Sequence, residues 1–156
     1  MSLDAKATFD PVTFIRTQTA IGTAAIVPEI KLHLAGEVTP LWQLTEDRLK
    51  GSNLPPPFWA FAWPGGQGLA RYVLDHKSEF VGKRVIDFAA GCGIAAIAAM
   101  QAGAKRALAV DIDGLALEAI QLNAALNGVM VELDALIDME KAPRGTDVIL
   151  AGDVCY

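Results

Sequence analysis

The chain has 156 residues, 53% of them hydrophobic and 20% charged, which gives enough apolar surface for one packed core and excludes a disordered protein. A net charge of −5 argues against a nucleic-acid substrate, because phosphate binding calls for a basic face. No apolar run approaches the roughly 18 residues of a membrane span, and the N-terminal stretch, with acids at Asp4 and Asp10, lacks the pattern of a targeting peptide. Two cysteines, Cys92 and Cys155, form neither a disulfide framework nor a metal-ligand spacing, so a reducing cytoplasm is the expected compartment and no metal site is expected.

In chain order, Asp10-Pro11 opens a helix, with Asp as N-cap and Pro at the first helical position. Val12, Ile15 and Thr19 share one face of it, and Gly22 is the expected stop. Residues 29–34 alternate, with Ile30, Leu32 and Leu34 inward and Lys31 and His33 outward, as in a half-buried strand. Thr39-Pro40 opens a second helix carrying Leu41, Trp42 and Leu49 and closed by Gly51, and Pro55-Pro56-Pro57 is a stiff extended link. The segment from Phe58 to Gln67 places four aromatics, Phe58, Trp59, Phe61 and Trp63, just before a Pro-Gly-Gly turn. The residues alone fit a hydrophobic lid and a pocket wall equally well. A helix face follows, through Leu69, Tyr72, Val73 and His76.

Residues 83–88 then read as the first strand of a main sheet and residues 93–102 as its crossover helix. A second strand spans 107–110, and Asp113 caps a helix over 115–127 that stops at Gly128. Third and fourth strands are expected over 129–133 and 147–151. Strands that alternate with helices and are apolar on both faces mean a parallel α/β sheet with right-handed crossovers. The expected organisation is an N-terminal helix and strand extension over residues 1–54 and a Rossmann-like core over 55–156, with helices on both faces of its sheet.

Ligands of such sheets lie beyond the carboxyl ends of the strands, and an acid stands at each of those four ends. They are Asp87, Asp111 with Asp113, Asp134 and Asp153, the last followed by Tyr156. Any one of these alone would more often be a helix cap; the four together are the argument. The loop Ala89-Ala90-Gly91-Cys92-Gly93 turns sharply from strand to helix, and its glycines let backbone approach a ligand. Asp111 lies twenty residues after Gly91, where a carboxylate can accept both hydroxyls of a ribose.

That spacing also fits a dinucleotide fold, since Gly91-Cys92-Gly93-Ile94-Ala95-Ala96 matches G-x-G-x-x-A. Against an NAD-dependent oxidoreductase stand the Asp four residues ahead of Gly91, the lack of room for a substrate domain, and the position of both histidines, His33 and His76, before the loop. His33, His76 and Cys92 are read as structural.

With these residues in place, the chain resembles class I S-adenosylmethionine (SAM) methyltransferases. More narrowly it resembles the branch that contains electron-transfer flavoprotein β-subunit lysine methyltransferase and nicotinamide-N-methylase-like proteins. The resemblance runs from about Pro28 to Tyr156 and rests on residues 28–35, 57–67, 85–93, 111–113 and 151–156. It implies SAM as cofactor, with Asp87 and the Ala89, Gly91 and Gly93 backbone around its methionine part. Asp111 would bind the ribose, Ile112 would be a further cofactor contact, Asp134 would lie near the adenine amino group, and Trp63 with Gly66 would close the pocket. Asp153 and Tyr156 match the D-x-x-Y/F motif beside the methyl-accepting amine, which implies a protein lysine as acceptor, the flavoprotein β-subunit among the candidates.

A small-molecule or ribosomal-protein N-methyltransferase and a non-catalytic nucleotide-binding module are the remaining alternatives. The resemblance also implies a sheet in the order 3-2-1-4-5-7-6, of which the sequence shows only strands 3-2-1-4. The chain is therefore expected to be truncated, with strands 5, 7 and 6 and part of the substrate wall missing.

Overall fold

The computed structural model describes residues 9–36, 56–135 and 144–154. The helix expected over residues 39–51 lies outside them, as do Pro55, Cys155 and Tyr156. Helix α1 (Pro11–Gln18) starts as the sequence dictates, with the Asp10 carboxylate accepting from the amides of Val12 and Thr13 at 3.3 and 3.2 Å. It does not run to Gly22. Thr19 returns its hydroxyl to the Ile15 carbonyl at 2.6 Å, which closes the last turn, and the chain then turns extended. Thr19, Ile21 and Thr23 are β-branched, and their stretch forms strand β1 (Ala20–Ala24), with Gly22 paired to Leu32.

Strand β1 and strand β2 (Val27–Leu34) make an antiparallel hairpin, with a register irregularity between Thr23 and Ala24. Ile30 and Leu32 are fully buried, as their alternation predicts, whereas Leu34 is half-buried. His33 is buried rather than solvated. Its Nδ1 lies 3.2 Å from the Thr19 hydroxyl, and burial, with Arg16 nearby, pushes its pKa down.

After a 3-10 turn (Phe58–Ala60) come helix α2 (Pro64–Asp75) and the short helix α3 (Lys77–Phe80). The main sheet follows as β3 (Arg84–Phe88), α4 (Ile94–Gln101), β4 (Arg106–Val110), α5 (Gly114–Leu126), β5 (Glu132–Asp134) and β6 (Val148–Ala151). All four strands are parallel, in the order β5-β4-β3-β6, which is the expected 3-2-1-4. The third strand begins three residues later than expected, because the Val129 amide still bonds to the Ala124 carbonyl at the helix end.

The side chains of Val85, Ala107, Ala109 and Leu150 share one sheet face, and α4, α2, the hairpin, and Ile120 and Ala124 of α5 pack there into one core. Helix α4 is alanine-rich and almost wholly buried, so α2 can approach it closely. Replacing Ile97 or Ile120 by Ala in such a site costs about 2–5 kcal/mol. The opposite face carries a separate cluster of Ile86, Leu108 and Val110.

Strand β6 is fastened at both ends. At its start, Asp147 takes the Arg84 amide at 2.8 Å and the Arg84 guanidinium at 3.1 Å, and this pairing holds its carboxyl down at about 2. At its finish, Asp153 takes the amides of Gly65 and Gly66. Among the described residues no helix is long and apolar enough to cross a membrane, and no cluster of His, Cys, Asp or Glu could hold a metal ion.

Candidate active site

The carboxyl ends of β3, β4 and β6 open onto a cavity of about 490 Å³, within the range of small-molecule sites. The glycine loop forms its floor. Past Phe88 the chain enters the left-handed region at Ala89 (φ 53°) and again at Gly91 (φ 53°) and Gly93 (φ 77°). Ala89 does so with a Cβ, which is uncommon and marks a loop conformation held by its surroundings. The holding contacts are few. Ala90 donates to the Val110 carbonyl at 3.0 Å, Gly93 donates to the Ala90 carbonyl at 2.8 Å, and Gly91 donates to Asp111 Oδ2 at 2.9 Å. A Cβ on Gly93 would meet the Ile120 side chain at 2.9 Å, so here glycine also answers a packing need.

Asp87 comes from β3, and its Oδ2 accepts the Ala96 amide at 2.9 Å, three residues past Gly93, the side-chain-less N-cap of α4. The carboxyl is thus a cap for α4 as well as part of the cavity wall. Burial drives its pKa up to about 7; the Ala96 amide opposes this, and nearby Asp111 adds to it. Asp111 directly follows β4, with Oδ1 accepting the Asp113 amide at 3.0 Å and Oδ2 the Gly91 amide. Asp113 caps α5 through the Leu115 amide at 2.9 Å, as its sequence position requires.

The far wall is aromatic. Phe58, Trp59, Phe61 and Trp63 all line the cavity, with Trp63 edge-on to Phe58 and Phe61 at centroid distances of 5.8 and 5.9 Å. The two readings of this segment coincide, since Trp59 and Ala60 also pack against Ile15, Ala116 and Ala119 beneath it. Trp59 Nε1 is buried and, uniquely among buried side-chain polar atoms of the described residues, has no hydrogen-bond partner. An unpaired buried N–H of this kind costs about 1–3 kcal/mol.

Asp153 reaches the same cavity from the end of β6. Its two oxygens accept the Gly65 and Gly66 amides at 3.0 and 2.9 Å, at the N-terminus of α2. The contact is tight from both sides. A Cβ on Gly65 would meet the Asp153 carboxylate at 2.8 Å, and one on Gly152 would meet the Gly66 nitrogen at 2.9 Å.

The family profile described as "Ribosomal protein L11 methyltransferase (PrmA)" matches residues 70–153, more than half of the chain and all of β3, β4, β5 and β6. The chain belongs to this methyltransferase family. Among curated relatives, 111 residues are 49% identical to "Electron transfer flavoprotein beta subunit lysine methyltransferase homolog" of Caenorhabditis elegans, covering 71% of this chain and 44% of that one. The Homo sapiens protein "Electron transfer flavoprotein beta subunit lysine methyltransferase" is 37% identical over 147 residues, 92% of this chain and 54% of its own. A "Ribosomal protein L11 methyltransferase" of Alteromonas mediterranea is 42% identical over 73 residues, 47% of this chain and 25% of its own. The chain therefore spans about half the length of the flavoprotein-named relatives.

Of the site residues that the resemblance singles out in this chain, eight line the cavity: Trp63, Gly66, Asp87, Ala89, Gly91, Asp111, Ile112 and Asp153. Gly93 shapes the loop without being part of the lining, and Asp134 stands one strand over, its carbonyl accepting the Asp111 amide at 3.2 Å. Tyr156 lies outside the described residues. One residue with evident bearing on the site has no local signal in the sequence: Asn123, fully buried in α5, donates to the Cys92 carbonyl of the glycine loop at 2.9 Å. Cys92 itself is a buried filler whose thiol burial pushes up to about 12, which leaves it no nucleophilic character near neutral pH.

Proposed function

We propose that the chain carries the cofactor site and part of the acceptor site of a SAM-dependent methyltransferase acting on a protein lysine. The observation that supports this best is the cavity itself, where the buried carboxylate of Asp87, Asp111 and an aromatic wall face one space. An anionic pocket with apolar walls fits a ligand that is cationic, partly aromatic and rich in hydrogen-bonding groups. SAM has all three properties. The flavoprotein-named relatives match over 71–92% of the chain and the ribosomal one over 47%, which favours a lysine of an electron-transfer flavoprotein β-subunit as acceptor. The compartment we propose is the reducing cytoplasm, in keeping with Cys92 as a free buried thiol.

When bound, SAM supplies a methyl group on a sulfonium that is already a good leaving group. The chain's own residues then have to bind, align and exclude water. Asp87 takes the α-ammonium of the methionine part on the carboxylate oxygen not used by Ala96. Gly91 and Gly93 let the loop backbone lie close to that part, and Ala89 continues the same surface. Each Asp111 oxygen keeps a lone pair after bonding to Gly91 and Asp113, and these accept the ribose hydroxyls. Ile112, 80% exposed on the cavity rim, offers apolar cover to the adenine, and Asp134 lies on the side toward which its amino group would extend. Trp63 and Gly66 close the opposite side.

Asp153 accepts hydrogen bonds from the incoming lysine amine on the lone pairs that Gly65 and Gly66 leave free, and Tyr156, the other residue of the D-x-x-Y match, is assigned to the same amine. A lysine with an ordinary pKa near ~10.4 arrives protonated and must lose a proton before transfer. The aromatic wall disfavours the charged amine and so helps that loss.

Calorimetry with SAM and with NAD tests the cofactor, and labelled SAM incubated with lysate proteins and the chain tests the transfer. Binding of SAM with label on a protein lysine is expected. Binding of NAD in place of SAM would refute the reading at its base, and SAM binding without labelled product would reduce the chain to a nucleotide-binding module.

A further inference from the structure

Among the described residues the outer edge of β2 has no strand beside it, yet every second amide from Lys31 to Ala35 is satisfied. Lys31 donates to Asn127 Oδ1 at 2.9 Å, His33 donates to Asn123 Oδ1 at 2.7 Å, and Ala35 donates to the Ala60 carbonyl at 2.8 Å. Asn123 on α5 and Asn127 at its C-cap stand one turn apart, so a helix end substitutes side-chain amides for a neighbouring strand. Their far ends differ. Asn127 Nδ2 returns to the Lys31 and Asn123 carbonyls, at 2.7 Å each, and remains within the hairpin and helix. Asn123 Nδ2 instead crosses to the Cys92 carbonyl at 2.9 Å, between the two left-handed glycines of the loop.

The orientation of the Asn123 amide is fixed by its partners, since the His33 amide requires an acceptor and the Cys92 carbonyl a donor. Asn123 is fully buried, and water cannot replace it at either end.

We infer that Asn123 is a positioning residue for the proposed SAM site, holding the glycine loop in its ligand-ready shape by bracing the Cys92 carbonyl against the N-terminal hairpin. The inference rests on the SAM reading above. It makes the hairpin part of the binding machinery, because the edge that Asn123 occupies also holds Ala60, in the turn that carries Phe58 and Trp59.

Asn127 supplies the control, making the same kind of edge bond without reaching the loop. Asn127→Ala should lower thermal stability while leaving the SAM dissociation constant within about twofold of the wild type. Asn123→Ala should lower stability and weaken SAM binding at least about tenfold. Asn123→Asp keeps an acceptor for His33 and removes the donor to Cys92, so it should also weaken SAM binding. Hydrogen exchange at the Gly93 amide should accelerate in both Asn123 variants and not in Asn127→Ala. Asn123 variants that bind SAM as Asn127→Ala does, or that both fail to fold by circular dichroism, overturn the inference. A wild-type chain that binds no SAM removes the cofactor reading itself, whereas wild-type binding with unaffected Asn123 variants removes only this step.

Discussion

At the scale of single residues, Asp87 carries the most chemistry. A carboxyl that titrates near ~3.9 in an unfolded chain is raised to about 7 here by burial against a single backbone donor, with Asp111 close by. The sign follows directly. A folded pKa above the unfolded value stabilises the fold fully below about pH 4, and that contribution is lost as pH rises through 7. At pH 8 the ligand-free protein therefore holds an expensive buried charge, which a bound ammonium would relieve. Asp87→Asn keeps an acceptor for Ala96 and removes that charge. Its ligand-free Tm should exceed that of the wild type at pH 8 by about 5 °C and match it at pH 4, while SAM binding is lost. In the wild type the SAM dissociation constant should rise about tenfold from pH 8 to pH 6, as the free carboxyl takes up its proton. Calorimetry in two buffers of different ionisation enthalpy reads the proton released. A dissociation constant that stays flat across that range would show that Asp87 does not meet the cationic group.

At the scale of elements, the decisive contact is that between the end of β6 and the start of α2. Asp153 serves as side-chain cap for a helix that begins Pro64-Gly65-Gly66 and has no capping side chain of its own. The same carboxylate is the one proposed to face the acceptor amine, so its placement depends on the helix. Gly65→Ala puts a Cβ 2.8 Å from Asp153 Oδ2 and must push the carboxylate aside. Displacements of that order cost up to about a hundredfold in rate. Gly65→Ala should thus cut methyl transfer strongly with SAM affinity nearly unchanged, and Asp153→Ala should cut it further. Equal loss of SAM binding in either variant would move Asp153 from the acceptor side to the cofactor side.

This contact was invisible in the sequence. Asp153 reads there as an acid at a strand end, which it is, but its partners lie 88 and 87 residues upstream. His33 illustrates the same limit: alternation assigns it to the wet face of a strand, and Thr19 and Asn123 make it dry. Strand β1 has no sequence signal for a local reason, since Gly22 reads as a helix stop and the five residues lack an apolar alternation. What is legible is what is local: the Asp10 and Asp113 caps, the glycine loop, and the βα alternation that makes the sheet parallel, while the order of its strands comes from the family resemblance and not from periodicity.

At the scale of the whole molecule, the cavity draws its walls from four separate stretches of the chain between Pro56 and Asp153. Pro56 to Leu69, the loop after β3, the end of β4 and the end of β6 meet around it, and the hairpin braces two of them from behind. A ligand bound there should stabilise the fold as a unit. At a hundred times its dissociation constant, SAM contributes about 2.7 kcal/mol by mass action, a rise in Tm of about 5–10 °C for a domain of this size. The distribution of that protection discriminates more sharply than its size. If the loop, the aromatic turn and the hairpin act together, SAM should slow hydrogen exchange at Lys31, His33 and Ala35, residues that line no part of the cavity. The amides of β6 should gain protection by the same route, through Asp153 and α2. Protection confined to residues 87–96 would show instead that the loop binds on its own and that the hairpin is only a support for the core.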